Sequence, residues 1–199
     1  MLIDSRMNRG FSLVEVMVVI TLMVILVMLA MPSLGIYTEN SKIRSVADAF
    51  ASSAQKARTE AIRTNQAVQL VLTTDSPVAA NVGTANLSST AGSWIVRSVS
   101  DDATPVYTFI EGKDVREGSA RSDASTSVNV SGVSNSVATP AITFNSAGST
   151  SLGARWLVDF TSSSAACTPV RCLRVIITSS GQIKMCEPAA TAANDTRAC

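Results

Sequence analysis

Residues 9–31 read RGFSLVEVMVVITLMVILVMLAM, and this stretch decides the architecture. From Phe11 to Met31 the run is 21 residues long and is interrupted only by Ser12, Glu15 and Thr21. At about 1.5 Å of rise per residue, a helix of that length crosses a hydrocarbon core of about 30 Å, so residues 11–31 are expected to form a transmembrane helix. Arg6 and Arg9 precede it with only Asp4 opposing them, and the first cation beyond it is Lys42. That asymmetry keeps the N-terminus in the cytoplasm and exports the rest of the chain. A cleaved secretory signal is the alternative, but its apolar region is shorter and ends at a small-x-small site, of which only Ala30 is present.

Past this run the apolar residues become periodic. Ile43, Val46, Phe50, Ala54, Ala57 and Ala61 recur at helical spacing, with Lys42, Arg44, Asp48, Lys56, Arg58, Glu60 and Arg63 on the other faces. Residues 32–65 are therefore expected to continue the first helix as an amphipathic half, with a bend at Pro32, which removes one backbone donor and frees a carbonyl. Ala47, Ala51, Ser53, Ala54 and Ala57 make its buried stripe small enough for a sheet to approach.

From residue 66 to 199 the texture is β. Runs rich in branched and aromatic residues occur at 66–74, 94–99, 106–111, 126–131, 140–145, 155–161, 171–178 and 182–187, separated by Gly, Ser, Thr, Asn and Ala. The expected fold is α+β: a long N-terminal helix, half transmembrane and half amphipathic, packed on antiparallel β-sheets. No helical period returns after residue 65, which excludes a βαβ fold.

Composition narrows the chemistry. The chain has 199 residues, 46% of them hydrophobic, a formal net charge of +1 and no histidine. Without histidine there is no Ser-His-Asp or Cys-His nucleophile, no imidazole metal site and no ordinary general base near neutral pH. No catalytic residue, cofactor or metal site is expected. Cys167, Cys172, Cys186 and Cys199 fall together near the C-terminus, outside the membrane, where oxidation is the default. Their spacing lacks the C-x₂-C knuckles of zinc sites. Three disulfide connectivities exist; an outward face shared by Cys172 and Cys186 favours that pair, with Cys167–Cys199 tying down the tail.

The junction Arg9-Gly10-Phe11-Ser12-Leu13-Val14-Glu15 resembles the type IV pilin family. The resemblance implies that residues 1–10 are a leader removed by a prepilin peptidase between Gly10 and Phe11, and that Phe11 becomes an N-methylated N-terminus. Glu15 would serve assembly by meeting the N-terminus of a neighbouring subunit. Physical chemistry gives Glu15 a reason of its own, since a carboxylate within a membrane span costs about 2.5–3.5 kcal/mol and needs a cationic partner. A purely local role, complementing the helix dipole in the first turns, is the competing reading.

Two C-terminal stretches resemble the GspH/FimT branch of minor pilins and pseudopilins: Ile142-Thr143-Phe144 followed by Gly148, and a hairpin from Arg171 to Lys184 turning at Ser179-Ser180-Gly181. In this hairpin Leu173, Val175 and Ile177, with Ile183 and Met185, are expected to form a core face opposite a polar one. Members of this branch are minor subunits that prime or cap a type IV pilus or a type II secretion pseudopilus. Their implied partners are other pilins, the prepilin peptidase and an inner-membrane assembly platform, with the head in the periplasm. Some FimT-like members instead bind DNA in natural transformation through basic residues after the final turn. Here Gly-Arg-x-Arg becomes Gly181-Gln182-Ile183-Lys184, which leaves Arg171, Arg174, Lys184 and Arg197 as a thinner DNA-binding patch.

Overall fold

In the computed structural model, residues 11–115, 128–162, 166–192 and 194–199 are described, apart from the side chains of residues 29–33 and 128. The expected leader, residues 1–10 with Gly10, and the side chain of Pro32 lie outside the described residues. Among the described residues one α-helix, α1 (Leu13–Thr64), is followed by β1 (Ala67–Thr73), a short 3₁₀ turn (Ala79–Asn81), β2 (Ser93–Val99), β3 (Tyr107–Asp114), β4 (Val128–Ser134), β5 (Val137–Ala138), β6 (Ala141–Phe144), β7 (Trp156–Ser162), β8 (Leu173–Ile177) and β9 (Ile183–Cys186). Each of the eight expected strand segments overlaps one of these strands, with β3 and β4 each running three residues past the expected end, and β5 is an additional short one. The chain divides into two compact units, residues 1–38 and 39–199.

In the first unit the backbone of α1 runs through Pro32 without interruption. The apolar side chains from Leu13 to Met28 are exposed. Among the described residues, no helix is long and apolar enough to cross a membrane.

The second unit is α+β, with the remainder of α1 packed on two antiparallel sheets in the orders β3-β2-β1-β6 and β5-β4-β7-β8-β9. Ile43, Phe50, Ala54, Ala57 and Ala61 are fully buried and Val46 is nearly so, which is the stripe expected from the 3.6-residue period. Phe50 joins the layers. Its ring meets Trp94 of β2 edge-on at 5.4 Å and lies 5.9 and 5.4 Å from Trp156 and Phe160 of β7. Alternation along the strands sends Val68, Leu70 and Leu72 of β1 and Trp156, Val158 and Phe160 of β7 into this core.

Ser53 is the polar exception in the helix stripe. Fully buried, it donates from Oγ to Glu111 Oε1 at 2.8 Å, while Lys56 Nζ binds Glu111 Oε2 at 2.6 Å. Burial pushes the Glu111 carboxyl up, but hydrogen bonds from Lys56 and Ser53, with the charges of Lys56 and Lys113, hold it below the usual carboxylate range. Glu111→Gln is therefore expected to lose about 1–3 kcal/mol of stability at pH 7. Because the folded-state value is depressed, the contribution is complete above the unfolded value of about 4.3. It fades as the pH falls through the folded value. Denaturation of wild type and variant from pH 7 to pH 3 should show the gap closing at the acid end.

The hairpin β8–β9 corrects two expectations. Val175 and Ile177, with Leu173, Ile183 and Met185 packed against them, form the core face as predicted. The opposite face is not simply polar: Cys172, Ile176 and Cys186 on it are buried at 1, 6 and 3% exposure. The disulfides join Cys167 to Cys172 and Cys186 to Cys199, not Cys172 to Cys186. Register explains the difference, for Cys186 stands opposite Arg174, two positions away from Cys172. The tail also turns back to pair Ala198 in parallel with Glu187, which delivers Cys199 beside Cys186.

Candidate functional site

Two surfaces carry the candidate functional residues. The first is the start of α1. Ser12 precedes the first helical residue, and its Oγ accepts the Glu15 N–H at 3.2 Å, the Ser-x-x-Glu spacing that closes a helix N-terminus. Glu15 thus has a structural place in the first turn, yet among the described residues its carboxylate has no ion-pair partner. Around it the apolar side chains are open, from 46% exposure at Val16 and Val27 to 78% at Leu13, and Phe11 is 81% exposed. Thr21 is the other polar group of the run, and its hydroxyl donates to the Met17 carbonyl at 2.6 Å. That bond hides its polarity within the helix.

The second surface lies where α1 ends. The turn after β6 and the turn between β8 and β9 meet there, each with a glycine at positive φ, Gly148 at 75° and Gly181 at 77°. A β-carbon on Gly181 would stand 1.9 Å from the Gly148 carbonyl oxygen, and one on Gly148 would stand 2.8 Å from Ile62 Cδ1, so each motif glycine is required by its own close approach as well as by its positive φ. Arg58 of α1 closes the arrangement by donating from Nε to the Gly148 carbonyl at 3.1 Å. Sequence reading placed Arg58 merely on a polar helix face, and no local signal marks its partner 90 residues away. Beside it opens a cleft of about 480 Å³ lined by Gln55, Arg58, Thr59, Gln182, Ile183 and Lys184.

The four cations expected as a patch are not equivalent. Arg174 makes a two-pronged pair with Asp159 of β7, at 2.6 and 2.9 Å. Arg197 binds Asp195 at 2.7 Å and Glu187 at 3.5 Å, and holds the Asp195 carboxyl down at about 2. Lys184 Nζ donates to the Ala198 carbonyl at 3.4 Å, and the exposed Arg171 presents its backbone N–H to Asn40 Oδ1 at 2.7 Å. Two of the four charges are therefore compensated by carboxylates.

A family model described as type II transport protein GspH matches residues 46–181, and one described as prokaryotic N-terminal methylation motif matches residues 5–31. Among solved structures, the type IV minor pilin FimU of Pseudomonas aeruginosa is similar at a TM-score of 0.53 and 14% identity, over 80% of this chain and 98% of that one. The minor pseudopilin EpsH of the Vibrio cholerae type 2 secretion system aligns at a TM-score of 0.48 and 12% identity, over 74% of this chain and 98% of that one. No curated protein matches the chain in sequence. The likeness to FimU shows a shared α+β pilin fold. Since the GspH match spans more than half of the sequence, the chain belongs to the GspH family, whose members are pilin-like structural subunits and not enzymes.

Proposed function

We propose that the protein is a minor pilin or pseudopilin that primes or caps assembly of a type IV pilus or of a type II secretion pseudopilus. The observation that carries this reading is the division of one continuous helix. Its second half is consumed by the core of the head, while its first half presents exposed apolar side chains around a Glu15 carboxylate that has no ion-pair partner among the described residues. Such a surface is insoluble alone and is suited first to a bilayer and then to the helices of other subunits. In this reading residues 11–31 span the inner membrane once, with the N-terminus cytoplasmic and the head periplasmic. The prepilin peptidase cuts between Gly10 and Phe11, Phe11 is N-methylated, and the assembly platform loads the subunit.

Intact mass of membrane-extracted protein tests the first step. A mass beginning at methylated Phe11 is expected, and a chain still starting at Met1 or cut after Ala30 would refute the reading.

Glu15 supplies a second test because its two roles separate. Glu15→Gln keeps the polar helix start but removes the charge, so recovery in sheared filaments should fall at least about tenfold. That is the effect of losing a charged hydrogen bond worth about 1.5–3 kcal/mol. Unchanged recovery would leave the carboxylate only its local role. DNA capture is the weaker reading, since Arg174 and Arg197 already face Asp159, Asp195 and Glu187.

A further inference from the structure

The cleft beside Arg58 is not explained by filament assembly through α1. One wall is the helix, with Gln55, Arg58 and Thr59, and the other is Gln182, Ile183 and Lys184 at the start of β9. Two properties of this second wall bear on what would fit. First, β9 is the last strand of its sheet, and among the described residues the tail pairs only beyond it, at Glu187. Among the described residues the outer main-chain edge at Ile183–Met185 has no strand beside it, and such an edge takes an extended peptide. Second, the lining contains two cations and no carboxylate. Arg58 is fixed at Nε by the Gly148 carbonyl, and neither it nor Lys184 forms an ion pair among the described residues.

We infer that this cleft receives an extended acidic segment of another protein, whose carboxylates meet Arg58 and Lys184 while its backbone follows the edge of β9. The inference rests on the filament reading only for the source of the segment, a neighbouring subunit. A peptide suits the site better than a nucleic acid because a phosphate backbone can accept from the N–H groups of the strand edge but offers no donor to its carbonyls. Around the hairpin, Asp159 of β7 and Glu187 and Asp195 beyond β9 meet Arg174 and Arg197, so among the described residues the basic charge there is largely compensated. Gln55 and Gln182 add neutral amide donors that a carboxylate accepts from, whereas the Thr59 hydroxyl already donates to the Gln55 carbonyl at 2.9 Å.

Zero-length carbodiimide coupling, which joins a lysine amine to a carboxylate in direct contact, tests this on the full-length protein. It is applied separately to whole cell envelopes and to sheared filaments, with peptide mapping by mass spectrometry. Lys184 is expected to be linked to an Asp or Glu of another polypeptide. The link should be abolished in Lys184→Arg, weakened at least fivefold in Arg58→Gln and largely restored in Arg58→Lys, which keeps the charge beside the glycine turns. Coupling of Lys184 only to its own Glu187 or Asp195, or to nothing, overturns the inference. Absence of the protein from filaments counts against the assembly reading, whereas an intermolecular link in envelopes still supports the cleft. Titration of labelled duplex DNA at about 0.15 M salt covers the other occupant. Sub-micromolar binding that vanishes in Arg58→Gln/Lys184→Gln would assign the cleft to nucleic acid and overturn the proposal.

Discussion

Phe50→Ala is expected to cost the head about 3–5 kcal/mol, the range for truncating a fully buried phenylalanine. The large value follows from position. Among the described residues, Phe50 is the one helix side chain whose ring touches aromatic rings of both sheets, Trp94 on one side and Trp156 and Phe160 on the other. The residues around it on the stripe, Ala47, Ser53 and Ala54, are too small to refill the space. Denaturation of the detergent-solubilised full-length protein, followed by tryptophan fluorescence, measures the loss directly, because the chain's two tryptophans are the residues in contact with Phe50. A loss below about 1 kcal/mol would mean that the sheets close over the gap, contrary to the rigidity expected of such a core.

Gly181→Ala should destabilise by about 2–5 kcal/mol, combining about 1–2 for a left-handed backbone with about 1–3 for overpacking. The added methyl meets a backbone carbonyl, that of Gly148, which cannot rotate away as a side chain would. Relief requires the two turns to part, and with them the Arg58 bond that holds both against α1. Gly153→Ala is the matched control, since a β-carbon there meets nothing within 4 Å. Thermal unfolding of the two variants should separate them clearly, and equal behaviour would remove the contact as the reason for glycine at position 181.

How much of this was legible in the sequence depends on the range of the interaction. The buried stripe from Ile43 to Ala61 was readable because helical period and burial are the same information. The strand segments were readable because branched and aromatic runs alternate with turn residues. The positive φ of Gly181 was readable from the turn it closes. Arg58 was not, because its partner is a main-chain carbonyl, and every residue has one. Ser53 looked like one more small residue until Glu111 was found opposite it.

The cysteines and the basic residues mark the boundary most clearly. That four cysteines in a C-terminal region expected to be exported would be oxidised follows from their number and that expectation alone; which pairs form depends on a register that places Cys186 opposite Arg174 and on a tail that returns to Glu187. Likewise the sequence determined how many cations the hairpin and tail carry, but only the tertiary structure decided which keep their charge available. Asp159 sits directly across from Arg174 in the β7–β8 register. Local pattern determines which face of an element is apolar, because that depends on neighbours in the chain. Pairing between side chains depends on distances set when separate elements dock, and those distances are properties of the packed sheets and helix rather than of any one segment.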